Sequence, residues 1–156
     1  MDVAVIFAVC AINIFIYCTA PKLNRLMTQE KIKYELEFPT KASPHMLFPF
    51  LSTPSGLSEW FCDDVNSRGE KFTFLWDGDE RDAIMLGKKA DKYIRFRWQE
   101  DEDEGNKYFF EFRIVVDELT NDTALIITDF SDEDEVEEDK LLWDSQVHEL
   151  FHTIGS

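Results

Sequence analysis

Cysteine is scarce in this chain, with three among 156 residues. Cys10, Cys18 and Cys62 form an odd set without a C-x-x-C pair, and two of them lie in an apolar N-terminal run. That pattern signals neither a disulfide framework nor a thiolate metal site, and it fits a reducing compartment. Positive charge is also in short supply: 16 basic residues face 32 acidic ones, a net charge of -16. The averaged field repels phosphate backbones and anionic membrane surfaces, which argues against nucleic acid as a partner. Phosphate-binding, dinucleotide-binding and nucleophile-elbow motifs are missing as well.

Aromatic side chains are what the chain has in quantity. Fourteen Phe, four Trp and four Tyr, within an apolar content of 44%, are too many for a disordered acidic chain. A chain of this length has room for one domain that hides roughly two-thirds of its unfolded surface. The acid therefore belongs on the outside of something folded.

Residues 3–20 are almost wholly apolar, about the minimum length for a membrane-spanning helix. Only Asp2 precedes them, where a secretory signal needs a basic leader, and Lys22 and Arg25 follow. Three readings stay open, in decreasing order of support: an in-frame extension ahead of a start at Met27, a membrane anchor, and a cleaved signal. In the second, the positive-inside rule puts the following domain in the cytoplasm. The expected organisation is thus an apolar extension over residues 1–26 and one cytoplasmic domain over 27–156. Membrane contact is expected only if residues 3–20 are an anchor.

Within that domain, alternation marks the strands. Ile32, Tyr34, Leu36 and Phe38 share a face opposite Lys33, Glu35 and Glu37. The signal returns at Phe72, Phe74 and Trp76, at Ile94, Phe96 and Trp98, and at Tyr108, Phe110, Phe112, Ile114 and Val116. A strand over residues 123–130 is apolar on both faces, and residues 82–89 read as a further strand. Charged hairpin segments between them favour antiparallel neighbours. Ser43-Pro44 and Thr53-Pro54 each pair an N-cap residue with proline at the first helical position, predicting two short helices. A long helix is predicted after Ser131-Asp132, with acids in its first turns and Val136, Trp143, Val147, Leu150 and Ile154 on one stripe.

The stretch Thr53-Pro54-Ser55-Gly56-Leu57-Ser58-Glu59-Trp60-Phe61, followed by Gly69-Glu70-Lys71-Phe72, resembles the START-like superfamily, closest to its chaperone ATPase activator branch. The order of elements agrees over about residues 30–155. The resemblance implies an α+β helix-grip fold: a curved antiparallel sheet of about six or seven strands wrapped around a long C-terminal helix, with two short helices after the first strand. It implies a cavity between sheet and helix, and no metal or other cofactor. Trp60, Phe72, Phe74, Trp76, Phe96, Trp98, Phe110, Phe112 and Trp143 are the candidate walls for a small hydrophobic molecule. A packed core explains the same aromatics equally well, since alternate strand positions are what any sheet buries.

Other constellations carry less. His148-Glu149-Leu150-Phe151-His152 matches the helical zinc-protease signature, yet both His project away from the apolar stripe and no third ligand follows. Asp77-Gly78-Asp79-Glu80-Arg81-Asp82 resembles a calcium loop but has Asp82 where glycine belongs and Lys88 at the twelfth place, so it reads as a hairpin turn. The five consecutive acids of residues 100–104 read as a hairpin tip, or as a docking site for a basic protein partner. Cys62 and His45 lack an oxyanion hole, so no catalytic residue is nominated. A non-enzymatic binding domain is the first expectation, an acidic protein-interaction module resembling the chaperone ATPase activators the second, and a cyclase- or hydrolase-like enzyme the third. Asp129, an acid within an apolar strand, is the one carboxylate to watch for the last.

Overall fold

The computed structural model describes residues 30–156. The expectations for residues 1–26, as extension, anchor or signal, fall outside the described residues. Seven strands form one sheet in the order β1-β7-β6-β5-β4-β3-β2, every neighbouring pair antiparallel. They are β1 (Ile32–Thr40), β2 (Asp64–Arg68), β3 (Lys71–Trp76), β4 (Asp79–Lys89), β5 (Tyr93–Trp98), β6 (Phe110–Val116) and β7 (Thr123–Ser131). Among the described residues four helices accompany them: α1 (Pro44–Ser52), α2 (Pro54–Leu57), α3 (Gln99–Asp103) and α4 (Val136–Ile154). This is the α+β, helix-grip arrangement.

The local reasons are visible at each boundary. Pro39 sits in β1, and β1 tolerates it because it is an edge strand with one row of backbone donors unpaired. Ser43 caps α1 by accepting from the Met46 amide at 3.3 Å, and Thr53 caps α2 by accepting from the Gly56 amide at 3.0 Å. Between β3 and β4, Asp77 and Gly78 both take positive φ (40° and 90°), the conformation of a two-residue hairpin. The supposed calcium loop is that turn.

Gly56 explains why the two short helices come together. A Cβ on it would lie 2.2 Å from the Pro49 carbonyl oxygen, so the backbones of α1 and α2 touch where only glycine fits. The Trp60 indole then donates to the Phe50 carbonyl at 2.8 Å and ties the outgoing chain to α1.

Two elements depart from expectation. β2, with the sequence Asp-Val-Asn-Ser-Arg, buries only Val65 and pairs on one side alone, so its pattern is too polar to announce a strand. The acid run of residues 100–104 folds largely into α3 within the β5–β6 connection. Its acids are partly neutralised there: Glu100 meets Arg81 at 3.2 Å, Glu102 meets Arg97 at 2.9 Å, and Asp101 accepts from Asn106. The predicted start of α4 also moves, because β7 runs through Ser131 and the helix begins at Val136.

The core lies between the concave sheet face and the helices. Phe74, Phe96, Phe110, Phe112, Leu47, Leu51, Leu57, Leu125, Ile127 and Leu150 are fully buried. Trp143, Val147 and Leu150 supply the buried stripe of α4, whose last turn ends at Gly155 in the left-handed region (φ 73°). On the opposite sheet face Glu111 is only 4% exposed, held at 2.6 Å from the Arg95 guanidinium and 3.0 Å from that of Arg113. Burial alone would push its carboxyl upward, but the two guanidinium groups outweigh it and hold the acid below the usual range.

Candidate functional site

The concave face is filled along part of its length and open along the rest. A cleft of about 530 Å³ lies where β7 and the first half of α4 face the β3–β4 hairpin and the end of β5. Trp76, Trp98, Phe61 and Trp143 form its aromatic walls. Asp129 and Phe130 enter from β7, Asp139, Leu142 and Gln146 from α4, Asp79 and Arg81 from β4, and Asp101 from α3.

Hydrogen bonds hold the walls in place. The indole of Trp76 donates to the Phe61 carbonyl at 2.9 Å. Trp143 stacks on Phe61 with ring centres 5.7 Å apart and planes 8° from parallel, while its indole donates to Asp129 at 3.0 Å. Arg81 lies 3.8 Å from the centre of the Trp98 ring, a cation–π contact that fixes both at the rim.

Asp129 is the polar centre. Its Oδ2 accepts from Trp143 and, at 3.3 Å, from the Tyr34 hydroxyl; its Oδ1 accepts from the Phe130 amide at 2.8 Å. Tyr34 stands opposite it across the β1–β7 pair. Burial pushes the Asp129 carboxyl upward, three donors pull it down, the Asp139 carboxylate adds to the rise, and the net direction is up. Burial and both acids likewise drive the Tyr34 phenol well above its ordinary value. Asp139 accepts from Ser131, a bond joining the end of β7 to the first turn of α4.

Of the nine aromatics proposed from sequence, Trp76, Trp98 and Trp143 line this cleft. Phe72, Phe74, Phe96, Phe110 and Phe112 pack ring against ring in the core, as in the Phe72–Phe96 and Phe96–Phe110 contacts at 5.0 and 5.2 Å. Trp60 packs edge-on to Phe112 at 5.5 Å. Sequence reasoning did not nominate Phe61, Arg81, Asp101, Asp139 or Gln146, because their shared surface depends on how α3, α4 and a hairpin converge. The one usable signal was Asp129, an acid on the inward face of an apolar strand.

The remaining motifs stay apart from the cleft. His148 and His152 are exposed on α4, and no group of three or more metal-ligating side chains occurs among the described residues. His45 sits beside Asp91 at 3.4 Å, whereas the Cys62 thiol donates to the Asp64 carbonyl and is pushed up to about 11, chiefly by burial. No described helix is long and apolar enough to cross a membrane.

Comparison with known proteins agrees with this architecture. The solution structure of BfR322 from Bacteroides fragilis is 40% identical, covering 80% of this chain and 92% of that one, with a TM-score of 0.58. The Aha1 dimer from Colwellia psychrerythraea is 20% identical over 76% of this chain and 92% of its own, with a TM-score of 0.64. CalU16 from Micromonospora echinospora is 14% identical over 80% and 76%, with a TM-score of 0.62. The last two share the fold alone. No curated protein matches. A family model for the START-like superfamily domain matches residues 27–156, and with the seven-stranded sheet and its C-terminal helix this makes the chain a member of the START-like superfamily.

Proposed function

We propose that this domain is a non-enzymatic binder of a small hydrophobic molecule, held between the concave sheet and α4. A START-like fold is in general a scaffold for ligand binding or cyclase-type chemistry, so the site must carry the argument. The observation that carries it is the cleft itself. About 530 Å³ is within the range of small-molecule sites, and three tryptophans face it while the rest of the aromatic face is packed. Burying apolar surface there contributes about 25 cal/mol per Å². The carboxyl of Asp129 offers a polar group to orient the guest.

The test is to make the full chain in its native host and compare its mass under gentle and denaturing ionisation. A reproducible excess that disappears on denaturation supports a carried molecule and gives its mass. Folded protein without excess mass moves the reading to the second one, an acidic protein-interaction module. That module would dock a basic partner and release it as salt rises. The pairing of Glu100 with Arg81 and Glu102 with Arg97 weakens the acid run as its docking point.

A further inference from the structure

We infer that the cleft selects a cationic guest: an apolar body carrying a protonated amine, seated among Trp76, Trp98 and Trp143 with its charge between Asp129 and Asp139. This rests on the cleft being a binding site and adds the chemical class of the ligand.

The cleft is lined by four aspartates, Asp79, Asp101, Asp129 and Asp139, against two cations, Lys31 and Arg81. Arg81 is committed to Glu100 and to the Trp98 ring, and the ammonium of Lys31 lies 5.4 Å from the centre of the Tyr108 ring. Lys140, next to Asp139 in sequence, pairs with Glu137. Among the described residues neither Asp129 nor Asp139 makes a salt bridge. Asp101 differs, since Asn106 caps it.

Asp129 comes from the strand wall and Asp139 from the helix wall, and both line the cleft. Burial is the main cause of the raised affinity of Asp129 for its proton, and the like charge of Asp139 adds to it as the least of the causes. A cation placed between them relieves that repulsion inside a partly water-excluded space, where charge interactions exceed those in bulk water. Trp143 donates its N–H to Asp129, so the indole is held with its edge on the acid. An ammonium near that acid also meets aromatic faces, which attract cations through the ring quadrupole. An anionic amphiphile such as a fatty acid meets the opposite field.

The experiment uses three matched probes with one apolar body and different heads: naphthalene-methylammonium, naphthalene-methanol and naphthoate. Each is titrated into the full chain by calorimetry at neutral pH. The expected order is ammonium first by at least about tenfold, then alcohol, then carboxylate. Asp139→Asn and Asp129→Asn, each checked by circular dichroism for folding, narrow the gap in affinity between the ammonium and the alcohol. Trp98→Ala weakens all three. Equal affinity for the three heads, with Trp98→Ala still weakening them, overturns charge selection and leaves the cleft as a site. Failure of all three to bind, or binding indifferent to Trp98→Ala, overturns the cleft reading along with it.

Discussion

The two ends of the concave sheet face are built from the same kind of side chain and do different things. Toward α1 and α2, Phe72, Phe74, Phe96 and Phe112 meet other rings and aliphatic side chains on every side and are at most 5% exposed. Toward the β3–β4 hairpin and the start of α4, Trp76 and Trp98 are only half-buried, and the buried Trp143 lines the cleft. Aromatic alternation is identical in both places. The difference lies in what covers the strand: two short helices close one end, while over the other α4 sets Asp139 and Leu142, the latter 59% exposed, beside the buried Trp143. A sheet face is core or binding wall according to its cover.

That contrast can be broken at its strong end first. Phe112→Ala removes a fully buried ring from the closed half and is expected to cost about 3–5 kcal/mol in denaturant unfolding. A loss near that of a surface substitution would show that the closed half is not tightly packed. Gly56→Ala attacks the cover itself, because the new methyl meets the backbone of α1; a destabilisation of about 3 kcal/mol is expected by the same measurement. At the open end, Trp98→Ala should cost only about 1–2 kcal/mol, since the ring is half-buried, while weakening ligand retention. Stability loss equal to that of Phe112→Ala would place Trp98 in the core and remove it from the wall.

Glu111 and Asp129 sharpen the same comparison through pH. Glu111 on the outer face is held below the ordinary carboxylate range, so its contribution is present above that range and is lost as pH falls through its lowered value. Glu111→Gln should therefore cost about 1 kcal/mol at neutral pH and titrate less steeply on acidification than the parent. Asp129 has the opposite sign: the folded state keeps its proton to higher pH than the unfolded chain does. Its cost accordingly appears as pH rises from the ordinary carboxylate range through its raised value. Asp129→Asn should match or slightly exceed the parent in thermal midpoint at neutral pH, with a gap that closes in acid. A constant deficit at every pH would mean that the hydrogen bonds from Trp143, Tyr34 and Phe130 outweigh the buried charge.

Six of the seven strands, α1, α2 and α4 were legible because each carries a periodic or capping signal: Tyr34 to Phe38 in β1, Ser43-Pro44 and Thr53-Pro54 at the helix starts, Trp143 to Leu150 along α4. β2 was not, since an edge strand with one buried side chain needs no alternation. Nor was α3, because an all-acid run reads as solvated tip until Arg81 and Arg97 are seen to neutralise it from neighbouring strands. Of the cleft, the three tryptophans and the oddity of Asp129 were visible in advance. Asp139 looked like any acid in the first turn of a helix.

By itself, then, the sequence determined the class of fold, the acidic exterior and an aromatic inner face, since each follows from local period, capping and net composition. Tertiary structure alone decided which aromatics stay uncovered, and that two aspartates 10 positions apart in the chain would face one space. Periodicity records which way a side chain points. It does not record what arrives to cover it, because covering depends on contacts between segments far apart along the chain.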